Sequence, residues 1–227
     1  MDIRSSLLSY ITSLPRGTVV FADDLERLGF PAESVRLTLS ELALEGTVLV
    51  RLARGVYCYP RMAESGYALE RLLPSPAELA GVLARRWRVR IVPCGAQAAY
   101  LAGLVPFPGG PLTFLSDGSP QYFNLQNGAR IEFLRRRSAK VFAYTDENLR
   151  NLVEGFRWLG RDGVGDRELA AARELLRKVP PALFHEEVRL APAWVRDLLR
   201  QVWPGPPAGD PGAVPGSLPE GAGEPRE

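Results

Sequence analysis

The chain reads as an α+β protein. A winged helix-turn-helix unit stands at the N-terminus, followed by an α+β domain with a mostly antiparallel sheet and C-terminal helices. Three observations predict this. Residues 45–61, EGTVLVRLARGVYCYPR, give a helix end, a glycine stop at Gly46 and two β-prone runs, Val48 to Leu52 and Val56 to Tyr59, around the turn Ala53-Arg54-Gly55. Further β-prone runs separated by turn residues such as Asp117-Gly118 and Gln126-Asn127-Gly128 follow. From Asp146 onward the apolar spacing turns helical.

The first unit occupies residues 1–61. Leu7, Leu8, Ile11 and Leu14 recur at helical spacing, and Pro15 with Gly17 stops that helix. Thr18 to Phe21 is a short β-prone run. Asp23 and Asp24 open a second helix that carries Leu25 and Leu28 and closes at Gly29; carboxylates suit a helix start through capping and the dipole. A third helix spans Ala32 to Glu45. The order helix, strand, helix, helix, hairpin is how winged helices are built.

The second unit, residues 74–203, begins after a proline-rich break. Ser75 caps a helix with Pro76 at its first position and Glu78 just inside, and that helix runs to Arg86. Val89 to Val92 reads as a strand and Gly95 to Leu104 as a helix of small residues. Leu112 to Leu115, Tyr122 to Leu125, Arg130 to Leu134 and Lys140 to Ala143 read as strands, giving the mostly antiparallel sheet. Leu149 to Phe156, Leu169 to Val179 and Trp194 to Leu199 mark helices. Residues 204–227 are rich in Pro and Gly and nearly free of large apolar side chains, so a disordered tail is expected there.

Composition narrows the function. No apolar run is long enough to span a bilayer, and the N-terminus lacks a secretory pattern, so a cytoplasmic protein without a membrane partner is expected. Cys58 and Cys94 form no CxxC pair and His185 is the single histidine, so neither a metal nor another cofactor is expected. The net charge is only +2, yet residues 62–145 carry 10 basic and 5 acidic side chains while residues 1–61 carry 7 of each. Any nucleic-acid surface must therefore draw on the middle of the chain as well as on the winged helix.

Helical projection of the third helix buries Val35, Leu39 and Leu42 and turns Glu33, Leu37, Ser40, Glu41 and Leu44 outward, with Arg36 on the flank. Arg36 and Ser40 are the candidates for the major groove; the carboxylates oppose phosphates, and Leu37 and Leu44 suit either a thymine methyl or a protein contact. Arg51 and Arg54 flank the hairpin turn and Arg61 follows it, placing them for the phosphate backbone or the minor groove. Arg85, Arg86, Arg88 and Arg90, with Arg135, Arg136 and Arg137, are candidates for a second basic surface if the fold brings them together. No catalytic residue is assigned. Nucleotide-loop and nucleophile-elbow motifs are missing, Asp117 reads as a turn residue rather than half of a nuclease pair with Glu132, and His185-Glu186-Glu187 lacks a second metal-binding histidine.

Arg54-Gly55-Val56-Tyr57 with Tyr59-Pro60 resembles the wing of AbiEi-family antitoxins from abortive-infection, type IV toxin–antitoxin systems. Ile91 to Ala99, IVPCGAQAA, followed by Leu101-Ala102-Gly103-Leu104, is similar to the opening of that family's second domain, and Leu115-Ser116-Asp117-Gly118 to the turn that follows. The likeness covers roughly residues 5–145. It implies a winged-helix transcriptional repressor that binds double-stranded DNA at its own operator, functionally linked to a nucleotidyltransferase-like toxin. The alternative is a winged-helix protein-interaction module without sequence-specific DNA binding.

Overall fold

Asp2 starts the first helix: its carboxylate accepts from the Arg4 backbone N–H at the head of α1 (Ile3–Ser13). The computed structural model describes residues 2–65, 68–135 and 139–205. β1 (Val19–Phe21), α2 (Ala22–Arg27) and α3 (Ala32–Glu45) follow. α3 has the bounds expected from sequence, and Gly46 ends it in the left-handed conformation at φ +66°. The hairpin of β2 (Val50–Ala53) and β3 (Val56–Cys58) then closes an antiparallel sheet of order β1-β3-β2.

Both faces of this sheet are covered. Val20, Leu49, Tyr57 and Tyr59 pack on Leu7 and Ile11 of α1, Leu25 of α2 and Val35, Leu39 and Leu42 of α3. Phe21, Leu52, Ala53, Val56 and Cys58 face the other way, into a cluster shared with the second unit. β3 is accordingly buried at each of its three residues.

A second hairpin, β4 (Arg61–Ser65) with β5 (Ala68–Leu72), was not foreseen. Met62, Leu69 and Leu72 on it are exposed, so no buried face imprinted the apolar–polar alternation by which strands are read. α4 (Pro76–Trp87) begins at the expected Ser75–Glu78 capping box, in which the Ser75 hydroxyl accepts from the Glu78 backbone and the Glu78 carboxylate accepts from the Ser75 backbone N–H at 2.7 Å.

β6 (Ile91–Pro93), α5 (Gly95–Leu101), β7 (Leu112–Ser116), β8 (Gln121–Asn124) and β9 (Arg130–Arg135) build the second sheet, in the order β6-β7-β9-β8. Two of its pairings are antiparallel, and β7 with β9 is parallel. Phe114, Ile131 and Phe133 turn one face toward Leu79, Ala80 and Leu83 of α4 and the N-terminal sheet. The fifth expected strand of this unit, Lys140 to Ala143, is instead a 3-10 turn over Ala139–Phe142. Val141 is drawn from the surface into a small cluster with Val92, Cys94 and Leu115, and that packing overrides the β preference of the run.

α6 (Glu147–Leu159), α7 (Asp166–Leu176), α8 (Pro181–Glu187) and α9 (Ala193–Val202) complete the fold. Their apolar faces enclose a core with Phe156, Leu176, Phe184 and Leu199, to which α5 adds Ala99. No helix among the described residues is long and apolar enough to cross a membrane. The expected tail beyond Gly205, and Arg136 and Arg137, lie outside the described residues.

Candidate nucleic-acid interface

The outward face of α3 is less acidic than its sequence. Arg4 of α1 reaches across to α3, 2.6 Å from Glu45 and 3.4 Å from Glu41, and draws both carboxylates to the α1 side. Arg36 is 3.2 Å from Glu26 of α2 with its side chain 70% exposed. Ser40 is half-buried beside it. Leu37 and Leu44 stand out at 62% and 86% exposure, seven residues apart and hence on one face.

The β2–β3 hairpin is a wedge rather than a free arm. Its strands are held on both faces, and the Gln126 N–H donates to the Leu52 carbonyl at 2.9 Å, tying it to the turn after β8. Arg54 at the tip is exposed. Arg51 is half-buried and directs its Nε–H toward the Ala53 carbonyl at 3.5 Å, within its own hairpin. Arg61 is exposed at the start of β4, and its stem runs so close over Gly17 that a Cβ there would lie 3.2 Å from its Cγ.

The arginines of the middle segment divide into engaged and open groups. Arg86 is tucked between the units: it forms ion pairs with Asp23 and Asp24 of α2, and its guanidinium lies 4.1 Å above the Phe21 ring. Arg90 holds Asp117 through both its backbone N–H and its Nε–H, each at 2.8 Å, and lies over Phe142. This hydrogen bonding by the Arg90 guanidinium keeps the Asp117 carboxyl below the ordinary aspartate value, against a smaller opposing effect of desolvation. Arg85, Arg88 and Arg135 are exposed. Arg88 ends α4 in a left-handed conformation at φ +57°, which turns the chain toward β6.

The second sheet brings the two basic groups to one end. Ile91 pairs with Ser116 and Ser116 with Arg135, so Arg135 lies two strands across from the residue after Arg90, roughly 10 Å at the usual strand spacing. The same register separates Asp117 from Glu132. Glu132 pairs with Thr113, four positions back along β7, roughly 13 Å away. Glu132 is held by Arg130 at 2.8 Å, so the two carboxylates serve different arginines.

Sequence reasoning missed the residues that fix these surfaces. Arg4, Asp23, Asp24 and Asp117 act through partners distant in sequence, and no local spacing marks them. Glu187, read only as part of a His-Glu-Glu run, is buried and caps the start of α6, accepting from the Thr145 N–H at 2.7 Å and the Asp146 N–H at 3.1 Å. Cys58 is buried, and that burial pushes its thiol up to about 11. Among the described residues, no three His, Cys, Asp or Glu side chains gather as a metal-binding group.

A family model described as "Family of unknown function (DUF6088)" matches residues 6–182. None of the curated proteins matches the chain.

Proposed function

We propose, for a chain that belongs to the family of unknown function DUF6088, the role of a double-stranded-DNA-binding transcriptional repressor that serves as an AbiEi-like antitoxin in a type IV, abortive-infection toxin–antitoxin system. The observation that supports DNA binding best is the N-terminal order α1-β1-α2-α3-β2-β3, closed by the β1-β3-β2 sheet, with one face of α3 left open. In this reading the unit is a winged helix-turn-helix. α3 enters the major groove with Arg36 and Ser40, and Arg54 at the hairpin tip meets phosphates or the minor groove. Arg51 orients the tip, Arg61 flanks it, and Arg88 and Arg135 extend the basic surface onto the second unit. The antitoxin role, the cytoplasmic setting and the link to a nucleotidyltransferase-like toxin rest on the likeness of residues 54–60 and 91–104 to that group.

The test is fluorescence anisotropy with the protein's own upstream DNA and a scrambled duplex at two salt concentrations. Tighter, salt-sensitive binding to the upstream DNA is expected. Arg54→Ala weakens binding to both duplexes and lowers the salt slope by about one unit. A second reading, a protein-interaction module, is favoured by the exposure of Leu37 and Leu44. Sequence-indifferent or absent DNA binding, together with a mass by light scattering that falls in Leu37→Glu, would put that reading in its place.

A further inference from the structure

The face of the second sheet turned away from the shared core opens into a groove that DNA binding leaves unused. Its floor is Thr113 and Leu115 of β7 beside Glu132 and Leu134 of β9; α6 forms one wall and the 107–111 loop the other. It encloses about 790 Å³, room for several side chains rather than a gap in packing. Phe107 and Trp158 line opposite walls at 76% and 51% exposure, and Leu134 on the floor is exposed as well.

The charged side chains that line this groove are already paired. Glu132 is held by Arg130 at 2.8 Å, and Glu154 has Arg157 at 3.5 Å. The Thr113 hydroxyl donates to the Pro111 carbonyl at 3.2 Å. What remains open is apolar and aromatic, which suits an uncharged apolar occupant and gives an ion no unmatched partner.

The chain carries such a segment within reach. Trp194 at the start of α9 lies 5.8 Å from the Arg161 guanidinium, just past the end of α6. Trp203, after the other end of α9, stacks on Phe184 of α8 with 3.9 Å between ring centres, and Glu187 of α8 caps the start of α6. α9 therefore runs back along α6, and the chain leaves it near the α6 N-terminal end. From Glu147 to Trp158 along α6 is roughly 16 Å. Residues 206–210, PPAGD, cover the same distance at about 3.1 Å each in a polyproline II run. The stretch that follows, Pro211 to Pro219, PGAVPGSLP, is uncharged. At three residues per turn, Pro211 and Val214 fall on one edge of it and Pro215 and Leu218 on the next.

We propose that residues 211–219 seat in this groove in the polyproline II form, with Val214 and Leu218 between Phe107 and Trp158. Aromatic-lined grooves take proline-rich chains because the rings pack on pyrrolidine and the preformed extended helix costs little ordering entropy. Tethering through residues 206–210 holds the segment at high effective concentration, so a contact too weak for a free peptide persists within the chain. The docking does not rest on the DNA reading.

The test is NMR of the full chain with a nitroxide on Ser217→Cys; Cys58 and Cys94 are buried and do not take the label. Loss of the Trp158 indole signal and of the Gly109 and Gly110 amide signals is expected while the nitroxide is oxidised, with recovery on reduction by ascorbate. Val214→Asp combined with Leu218→Asp in the labelled chain keeps these signals throughout. Both changes lie past the last helix, and an unchanged melting temperature checks that the fold is intact. Signal loss spread evenly over the surface or centred elsewhere, or loss that survives the Asp pair, would overturn the proposal. So would loss carried only between molecules, in a mixture of isotope-labelled parent and nitroxide-bearing unlabelled chain.

Discussion

Arg90 and Asp117 show how a neighbour decides a residue's role. In sequence Arg90 belongs to a run of arginines, and Asp117 stands before a turn glycine. In the fold they hold one another across the β6–β7 edge, and Asp117 is lowered below its ordinary pKa. A lowered carboxylate contributes stability that is fully present above the unfolded value, about 3.9, and is lost as pH falls through the folded value. Asp117→Asn should therefore be less stable than the parent at neutral pH, and the gap should close on acidification below about pH 4. Urea midpoints from pH 7 to pH 2 check this; a gap that does not change with pH would show that the ion pair contributes nothing. The reduced charge of the α3 face has the same origin. Glu41 reads as an outward acid and Glu45 as the last residue of its helix, yet Arg4, 37 and 41 residues away in the chain, lies beside both in space. Spacing within one helix carries no record of such a partner, and this is why the candidate interface was legible in outline and not in its charge balance.

Elements were legible where one face is buried and a chemical signal marks the end. α3 shows both, with Val35, Leu39 and Leu42 inside and Gly46 past its last turn. α4 shows its capping box. The β4–β5 hairpin lacks a buried face, and the 3-10 turn at Ala139–Phe142 takes its form from a tertiary contact of Val141, so neither could be read locally. The α5–α6 pair shows what a small residue does inside an element. A Cβ at Gly155 would lie 2.9 Å from the Ala99 Cα and 2.8 Å from the Leu104 Cδ1, and the first of these is backbone that cannot swing away. Gly155→Ala should cost about 1–3 kcal/mol of overpacking, offset by about 1 kcal/mol of helix propensity. The expected net effect is a lower denaturant midpoint; a raised midpoint would mean that the helices separate without strain.

At the scale of the molecule, the boundary near residue 61 that the sequence suggests is crossed by packing. Phe21, Leu52, Val56 and Cys58 of the N-terminal sheet share one cluster with Leu79 and Leu83 of α4 and with Phe114, Ile131 and Phe133 of the second sheet. Arg86 adds its ion pairs to α2 at the edge of that cluster. Composition and turn signals locate where the chain changes character, but they do not say whether the two sides bury surface against each other. Val56-Tyr57-Cys58 held the clue, because a strand apolar at successive positions has two covered faces. Phe133 sits in the middle of this layer at 1% exposure, with Trp87 against its edge and Phe114 stacked on it. Phe133→Ala should therefore destabilise by about 3–5 kcal/mol, and the loss should not stay within its own sheet. Amide hydrogen exchange is expected to accelerate in β1 and β3 together with β7 and β9, since the cavity opens beneath both sheets. Exchange that rises in β7 and β9 alone would show that the N-terminal unit is held by its own helices, with the shared layer a contact between two independent folds.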